Sequence, residues 1–283
     1  MKLEHIYTSD KPVITFEVFP PKGDSDELFK NLQILKKFNP ALVSVTYGAG
    51  GSNRDKSFDI VKRIKNELDI TPMPHFTCVC SSKAFIEDYL IKTEAEGIEN
   101  ILALRGDEPK ETDICYKDFR YANELVDFIK ARTSLSVAVA AYPEGHIACS
   151  DPKTDLLNLK RKVDSGAAVI YTQLFFDNAY FFDFLERASG IGIKIPVIPG
   201  VLPVSSYAQL RKMTEMCGSK IPYNTDKYFS KYADDEKSFF SASVDFAASQ
   251  CYELLKNGVK GIHFYTLNKS KHVNNILQIL QNC

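Results

Sequence analysis

The sequence predicts an α/β chain folded as one (β/α)8 TIM barrel, a single domain over residues 1–283, and three observations carry this expectation. Eight short β-rich apolar runs recur along the chain. Each but the last is followed by a helix-length segment before the next begins. No Ser/Gly-rich linker or low-complexity stretch divides them. The runs are Val13–Val18, Leu42–Tyr47, Pro74–Val79, Ile101–Leu104, Val137–Ala140, Val169–Gln173, Pro196–Ile198 and Gly261–Thr266. Strand and helix patterns that alternate in this way pair in parallel. Eight units with nothing left over fit closure, at a length close to the roughly 250 residues typical of such barrels. An open doubly wound sheet is the alternative. The gap after the seventh run is longer and holds room for extra helix.

The intervening segments carry ordinary helix signals. Asp24-Ser25-Asp26 precedes the Leu28, Leu32, Leu35 stripe as an N-terminal cap. Asp151 followed by Pro152 reads as an N-cap with proline at the first helical position. Gly97, Gly166 and Gly258 each follow a periodic stretch and read as C-terminal stops.

Composition removes several classes. Hydrophobic residues make up 45% and charged residues 25%, as in an average globular protein. A net charge of −1 offers no basic face for nucleic acid. No apolar run approaches the roughly 18 residues of a membrane span. The opening MKLEHIYTSDKP lacks the apolar stretch of a secretory signal, so a cytoplasmic protein is expected. The seven cysteines are odd in number and contain no C-x-x-C pair, which fits free thiols in a reducing compartment rather than a disulfide framework. Cys78 and Cys80 form a C-x-C whose same-face strand positions suit small core residues better than a metal site. No metal is expected.

Strands of a parallel sheet are covered on both faces and should be almost continuously apolar. Here they are not. Thr15 and Glu17 share a face of the first run, Ser44 and Thr46 of the second, His75 and Thr77 of the third, Tyr171 and Gln173 of the sixth, and His263 and Tyr265 of the eighth. Buried polar groups are costly unless partnered. A barrel gives them a place, because active sites sit at the C-terminal ends of its strands. A polar layer that plugs the barrel is the plainer reading of any one of them; the whole set points to a ligand site. Glu17, inside VITFEVFPP, is expected to be desolvated, which raises a carboxyl pKa and leaves a protonated acid near neutrality. The alternative is a Glu17 paired with a basic neighbour. Asp107 follows the fourth run, and Gly106 beside it lets the backbone approach a ligand. The loop Tyr47–Ser52 fails the G-x-G-x-x-G fingerprint at Asn53, and no G-K-[ST] occurs. On a helix, Asp155, Asn158 and Lys162 share one face with Arg161 alongside, a set that suits a pyrophosphate and a ribose. A solvated Lys-Arg-Lys face is the competing view.

In order along the chain stand FEVFPPK (16–22), LVSVTYGA, PHFTC, ILALRGD, VAAYPEGH, DLLNLKRKVDSGA, TQLFFD, IPGVLPV and HFYTLNK, ending at Lys269. Together these stretches resemble the methylenetetrahydrofolate reductases over nearly the whole chain. The resemblance implies a flavoprotein barrel that binds FAD and works by a ping-pong reaction. NAD(P)H (NADH or NADPH) reduces the flavin and leaves, and 5,10-methylenetetrahydrofolate then takes the hydride to become 5-methyltetrahydrofolate, supplying methyl groups for methionine synthesis. The catalytic residues it implies are Glu17, as general acid, and Asp107. Contacts to FAD fall to Thr46, Tyr47, Ala49, His75, Arg105, Gly106, Asp107, Tyr121, Ala122, Tyr142, His146, Asp155, Asn158, Arg161 and Lys162. Substrate contacts fall to Glu17, Asp107, Gln173, Tyr207 and Lys269.

Tyr207 stands where relatives often carry Phe, and Lys269 where Arg is common, which turns a bidentate grip on a carboxylate into a point charge. The chain also lacks the C-terminal regulatory domain of eukaryotic members, so no such feedback is expected. A homo-oligomer with small-molecule partners only, neither nucleic acid nor membrane, completes the expectation. Two rivals stand beside it. A barrel aldolase or decarboxylase would want a Schiff-base lysine or a metal cluster, and a non-catalytic scaffold would need no acid at Glu17.

Overall fold

The computed structural model describes residues 1–9, 11–47, 54–106 and 118–282. A short helix α1 (Leu3–Ile6) precedes β1 (Val13–Val18). Then follow α2 (Asp26–Lys36), β2 (Leu42–Val45), α3 (Arg54–Leu68), β3 (Pro72–Thr77), α4 (Lys83–Ala95) and β4 (Asn100–Leu104). The second half runs α5 (Ala122–Arg132), β5 (Ser136–Ala141), α6 (Pro152–Asp164), β6 (Val169–Leu174), α7 (Asn178–Gly190) and β7 (Val197–Val201). After β7 come three helices, α8 (Tyr207–Cys217), α9 (Tyr223–Ser230) and α10 (Glu236–Lys256), which fill the long gap; β8 (Gly261–Tyr265) and α11 (Lys271–Gln281) end the description. All neighbours are parallel, and β1 pairs with both β2 and β8. The sheet is a closed barrel in sequence order rather than an open one.

Closure sorts the side chains by parity. Phe16, Val18, Val43 and Val45 point outward into a core with Leu28, Leu32, Ile60 and Ile64 of the covering helices. Phe76, Ile101, Val137 and Val139 do the same against α4, α5 and α6. The inward residues near the strand starts are apolar: Leu42, Met73, Leu102, Ala138, Val169 and Ile198. Leu3, Ile6 and Tyr7 cap that layer, so α1 and the residue after it close the N-terminal end of the barrel. The sequence offered no sign of this plug, because four helical residues are too few for a periodic pattern. Above the plug the interior turns polar, at Thr15, Ser44, His75 and His263, all buried.

Local signals behave largely as read. Asp151 accepts the N–H groups of Lys153 and Thr154 at the start of α6. Gly97, Gly166 and Gly258 take φ of +62°, +110° and +81°, the left-handed conformation that ends helices. Most strand ends move by a residue or two, and the second, third and seventh strands shift most. The third strand runs from Pro72 to Thr77, not 74–79, because Pro72 can open a strand where no N–H is needed. The second ends at Val45, and the seventh continues to Val201. Cys78 and Cys80 therefore lie beyond β3, with Cys80 at φ +54°, and are not same-face strand residues. Cys80 is disulfide-bonded, which corrects the expectation of free thiols throughout; Cys78, Cys149, Cys217 and Cys251 are free.

One glycine matters for the interior. Gly200 of β7 pairs in register with His263 and with Leu174, and a Cβ there would collide with the Thr172 carbonyl oxygen and the Tyr265 ring. The missing side chain lets Tyr265 reach across from β8, where its hydroxyl donates to the Thr172 carbonyl at 2.7 Å. Gly200→Ala is therefore expected to cost about 1–3 kcal/mol, as overpacking of a filled interior does. Urea unfolding would show this as a lower midpoint at unchanged slope, and a wild-type midpoint would contradict the packing described.

Candidate active site at the barrel mouth

Glu17 lies one residue before the end of β1, on the inward face, and its side chain keeps 21% of its exposure. Two imidazoles flank it. His75 of β3 places Nε2 at 3.4 Å from Glu17 Oε2, and His263 of β8 places Nε2 at 3.6 Å from the same oxygen. Both rings are buried. On its far side His263 Nδ1 lies 2.8 Å from Thr15 Oγ1, a contact that the Thr15–His263 register makes possible. Tyr171 of β6 packs its ring 4.7 Å from the His263 ring and shares a 2.8 Å hydrogen bond with the Tyr7 hydroxyl.

The electrostatics correct one expectation. Burial pulls the Glu17 pKa upward, but the His75 imidazole, and the His263 ring through hydrogen bonding and charge, outweigh it, and the net direction is below the ordinary carboxylate value. Apolar neighbours in sequence do not make an apolar site in space: the residues that decide this come from two other strands. The paired alternative is the one the structure shows. Burial pushes His75 down to about 4, against the attraction of Glu17. The two groups are coupled: burial disfavours the charge on each, and each favours the charged form of the other.

Gln173 stands two residues beyond Tyr171 on β6, and its Oε1 accepts the Leu174 N–H at 2.9 Å. The pairing of β6 with β7 is irregular between Tyr171 and Leu174. Tyr265 completes this side, its hydroxyl raised well above its ordinary value by burial and then by the nearby Glu17 charge. Cys217, at the end of α8, also senses Glu17, after burial as the main cause of its raised pKa.

A second group surrounds α6. Asp155 accepts the His146 N–H at 3.1 Å, and Tyr142 meets the His146 ring edge-on at 4.4 Å. Arg161 donates to Asn158 Oδ1 at 2.9 Å. Lys162 donates to the Ala140 carbonyl at 2.5 Å; burial pulls it down to about 8, although Asp155 opposes the shift. A cavity of about 260 Å³ opens here, lined by Tyr142, Asp155, Tyr180, Arg187 and Lys220 among others. Tyr142 lines the cavity and lies near enough to Tyr265 at the mouth that ionisation of either hydroxyl would oppose that of the other. Lys162, Arg161 and Asn158 bring an ammonium, a guanidinium and an amide together along α6, a donor set that fits the diphosphate of a nucleotide cofactor.

The remaining residues fall into three sets. Thr46 donates its N–H to the Val18 carbonyl at 2.9 Å and lies directly past β2. Gly106, at φ +84°, packs where a Cβ would strike Thr77 and Val79, with Arg105 just before it. Tyr121 and Ala122 open α5. Tyr47 turns away from the barrel: its ring lies 5.0 Å from Phe76 and 6.0 Å from Tyr89, in the layer under the helices, so any role at the mouth falls to its backbone. Tyr207 opens α8 and donates to Asp226 Oδ1 at 2.7 Å. Lys269, exposed, follows two left-handed residues after β8. Ala49 and Asp107 lie outside the described residues. Sequence reasoning noted Thr15 and His263 as inward polar residues without seeing that they touch, and it missed Tyr7 and Gly200. Only closure of β8 onto β1 reveals the first pair.

A closed parallel barrel with its titratable residues gathered at the strand ends is the class of (β/α)8 protein whose mouth houses an active site. Among the described residues no cluster of metal-ligating side chains occurs, and no helix is long and apolar enough to cross a membrane. The methylenetetrahydrofolate reductase family model matches residues 2–281. The Escherichia coli (strain K12) 5,10-methylenetetrahydrofolate reductase is 36% identical over 91% of this chain and 87% of its own length. A probable methylenetetrahydrofolate reductase (NADH) from Oryza sativa subsp. japonica is 34% identical over 99% of this chain, which spans 50% of that relative. Among solved structures, an uncharacterized protein from Clostridium thermocellum, described as binding two copies of 5-methyl-5,6,7,8-tetrahydrofolic acid, shares the fold at TM-score 0.68 with 13% identity, covering 100% of both chains. The chain belongs to the methylenetetrahydrofolate reductase family.

The buried imidazoles make a prediction for stability. His75 and His272 are both held down to about 4, chiefly by burial. The unfolded chain takes up these protons near 6.5, the folded one only near 4, so unfolding free energy falls as pH drops across that window. Each such histidine adds a slope of at most about 1.4 kcal/mol per pH unit. His75→Gln is expected to flatten the acid limb in urea titrations at pH 4–6.5 relative to wild type. An unchanged slope would mean that His75 is already charged in the folded state.

Proposed function

We propose that this chain reduces 5,10-methylenetetrahydrofolate to 5-methyltetrahydrofolate, with FAD as the bound cofactor and NADH or NADPH as the donor. Family membership supports the reaction, and one structural observation carries the reading: a carboxyl group, Glu17, held inside the mouth by two imidazoles. The name of the rice relative makes NADH the donor to try first.

A bound flavin would supply the hydride-transfer chemistry between nicotinamide and folate. Everything else falls to the protein. Lys162, Arg161 and Asn158 would hold the diphosphate and ribose, with Asp155, Tyr142 and His146 beside them. Thr46, the backbone of Tyr47, Ala49, His75, Arg105, Gly106, Tyr121 and Ala122 would complete the cofactor contacts. Gln173, Tyr207 and Lys269 would orient the folate, and Asp107 would favour the folate cation electrostatically.

Glu17 supplies the proton. In the open mouth it is a carboxylate and keeps part of its exposure to water. A pterin covering the mouth would strip that water, and desolvation favours the neutral acid. Glu17 then takes up a proton as substrate binds and hands it to the leaving amine as the five-membered ring opens. One hydride and one proton together convert the methylene bridge to a methyl group, so the reaction balances. The same reading proposes a cytoplasmic, homo-oligomeric enzyme, one barrel domain over residues 1–283, that feeds methyl groups to methionine synthesis.

The purified protein is expected to be yellow, or to become so with FAD, and to bleach anaerobically with NADH or NADPH. A colourless protein that cannot be reconstituted would end the flavin reading. Glu17→Gln should still be reduced by NAD(P)H yet lose at least about 10²-fold in folate reduction, the scale of a lost general acid. Equal loss in both half-reactions, followed by stopped-flow absorbance, would refute the acid role.

A further inference from the structure

We propose that His263 is a positioning residue for Glu17, and that Thr15 decides which imidazole nitrogen faces the carboxyl. The proposal rests on the reading of Glu17 as the acid, but its geometry stands apart from any ligand. His263 is buried at 1% exposure, with Nδ1 2.8 Å from Thr15 Oγ1 and Nε2 3.6 Å from Glu17 Oε2. A neutral imidazole has one donor and one acceptor nitrogen. An acceptor Nε2 would set its lone pair against a carboxylate, so the proton belongs on Nε2 and Nδ1 must accept. Thr15 is the donor that Nδ1 requires.

Thr15 has a single hydroxyl proton and a second acceptor within reach, the Ile262 carbonyl at 3.4 Å, so the shorter 2.8 Å contact to Nδ1 is the one that claims it. Tyr171 lies beneath, its ring 4.7 Å from the His263 ring and its hydroxyl 2.8 Å from that of Tyr7. The other groups facing Glu17 are His75 from β3, Tyr265 from β8 and Cys217 from α8. Tyr265 donates its proton to Thr172 instead, and His75 Nε2, the nitrogen that faces Glu17, makes no well-aligned hydrogen bond. His263 has the Thr15 hydroxyl behind it.

Thr15→Val, which keeps the shape and removes the donor, tests this, with Thr15→Ser as the variant that restores the hydroxyl. The first readout is NMR of the ligand-free protein: the ¹⁵N tautomer signature of His263 and the ¹³Cδ titration of Glu17. In wild type and T15S the proton should sit on Nε2 and Glu17 should titrate below the ordinary carboxylate range. In T15V the tautomers should mix and the Glu17 titration should move up. The second readout is the folate half-reaction, where T15V should lose about tenfold in kcat with little change in KM and a shifted pH profile, and T15S should recover it. A T15V protein with the wild-type tautomer and the wild-type Glu17 titration would overturn the proposal. NMR changes as expected without any change in the folate half-reaction would uphold the positioning and overturn the acid role of Glu17 instead. His263→Phe gives an independent check on the Glu17 titration, which should again move up; no movement would overturn the proposal.

Discussion

Parallel pairing of β1 with β8 closes the sheet, and closure drives every second residue of eight strands into one interior that only side chains can fill. Each other feature follows from that constraint. An inward polar residue has no solvent to retreat to, so it must find partners on other strands or lie at the mouth. Thr15, His263, Tyr171 and Tyr7 do the first. Glu17 does something of both, with two imidazoles beside it and part of its surface still open.

The interior is graded along the barrel axis. At the N-terminal end the strand starts and α1 supply an apolar plug, where a charged group would have no compensation. Toward the mouth the residues become hydrogen-bonded, then ionisable. The gradient separates the task of holding the barrel shut from the task of meeting a ligand, and Gly200 marks the border, because its missing side chain lets Tyr265 cross between strands. The polar face beside α6 lies to one side, where Lys162 donates to the Ala140 carbonyl and senses Asp155.

Glu17 shows how far environment can reverse a local inference. The run VITFEVFPP surrounds it with apolar residues in sequence, yet its own strand mates point outward into the helix layer. Its electrostatic neighbours come from β3 and β8, and together they hold it ionised while the mouth is open. In the function proposed, such a group would gain its proton when a ligand displaces water, coupling protonation to binding.

The sequence by itself determined the repeat, the count of eight strands, the shared face of Thr15 with Glu17, Tyr171 with Gln173 and His263 with Tyr265, and the helix caps at Asp151 and Gly97, while leaving an open sheet as the alternative to closure. These rest on period and on local backbone preference, which act over a few residues. What only the tertiary structure decided was who meets whom. The Thr15–His263 contact spans 248 residues of chain, the α1 plug acts through a four-residue helix, and the ring of Tyr47 faces the outer layer rather than the mouth. Such contacts depend on register around a closed sheet, and register is fixed by the packing of all the strands at once.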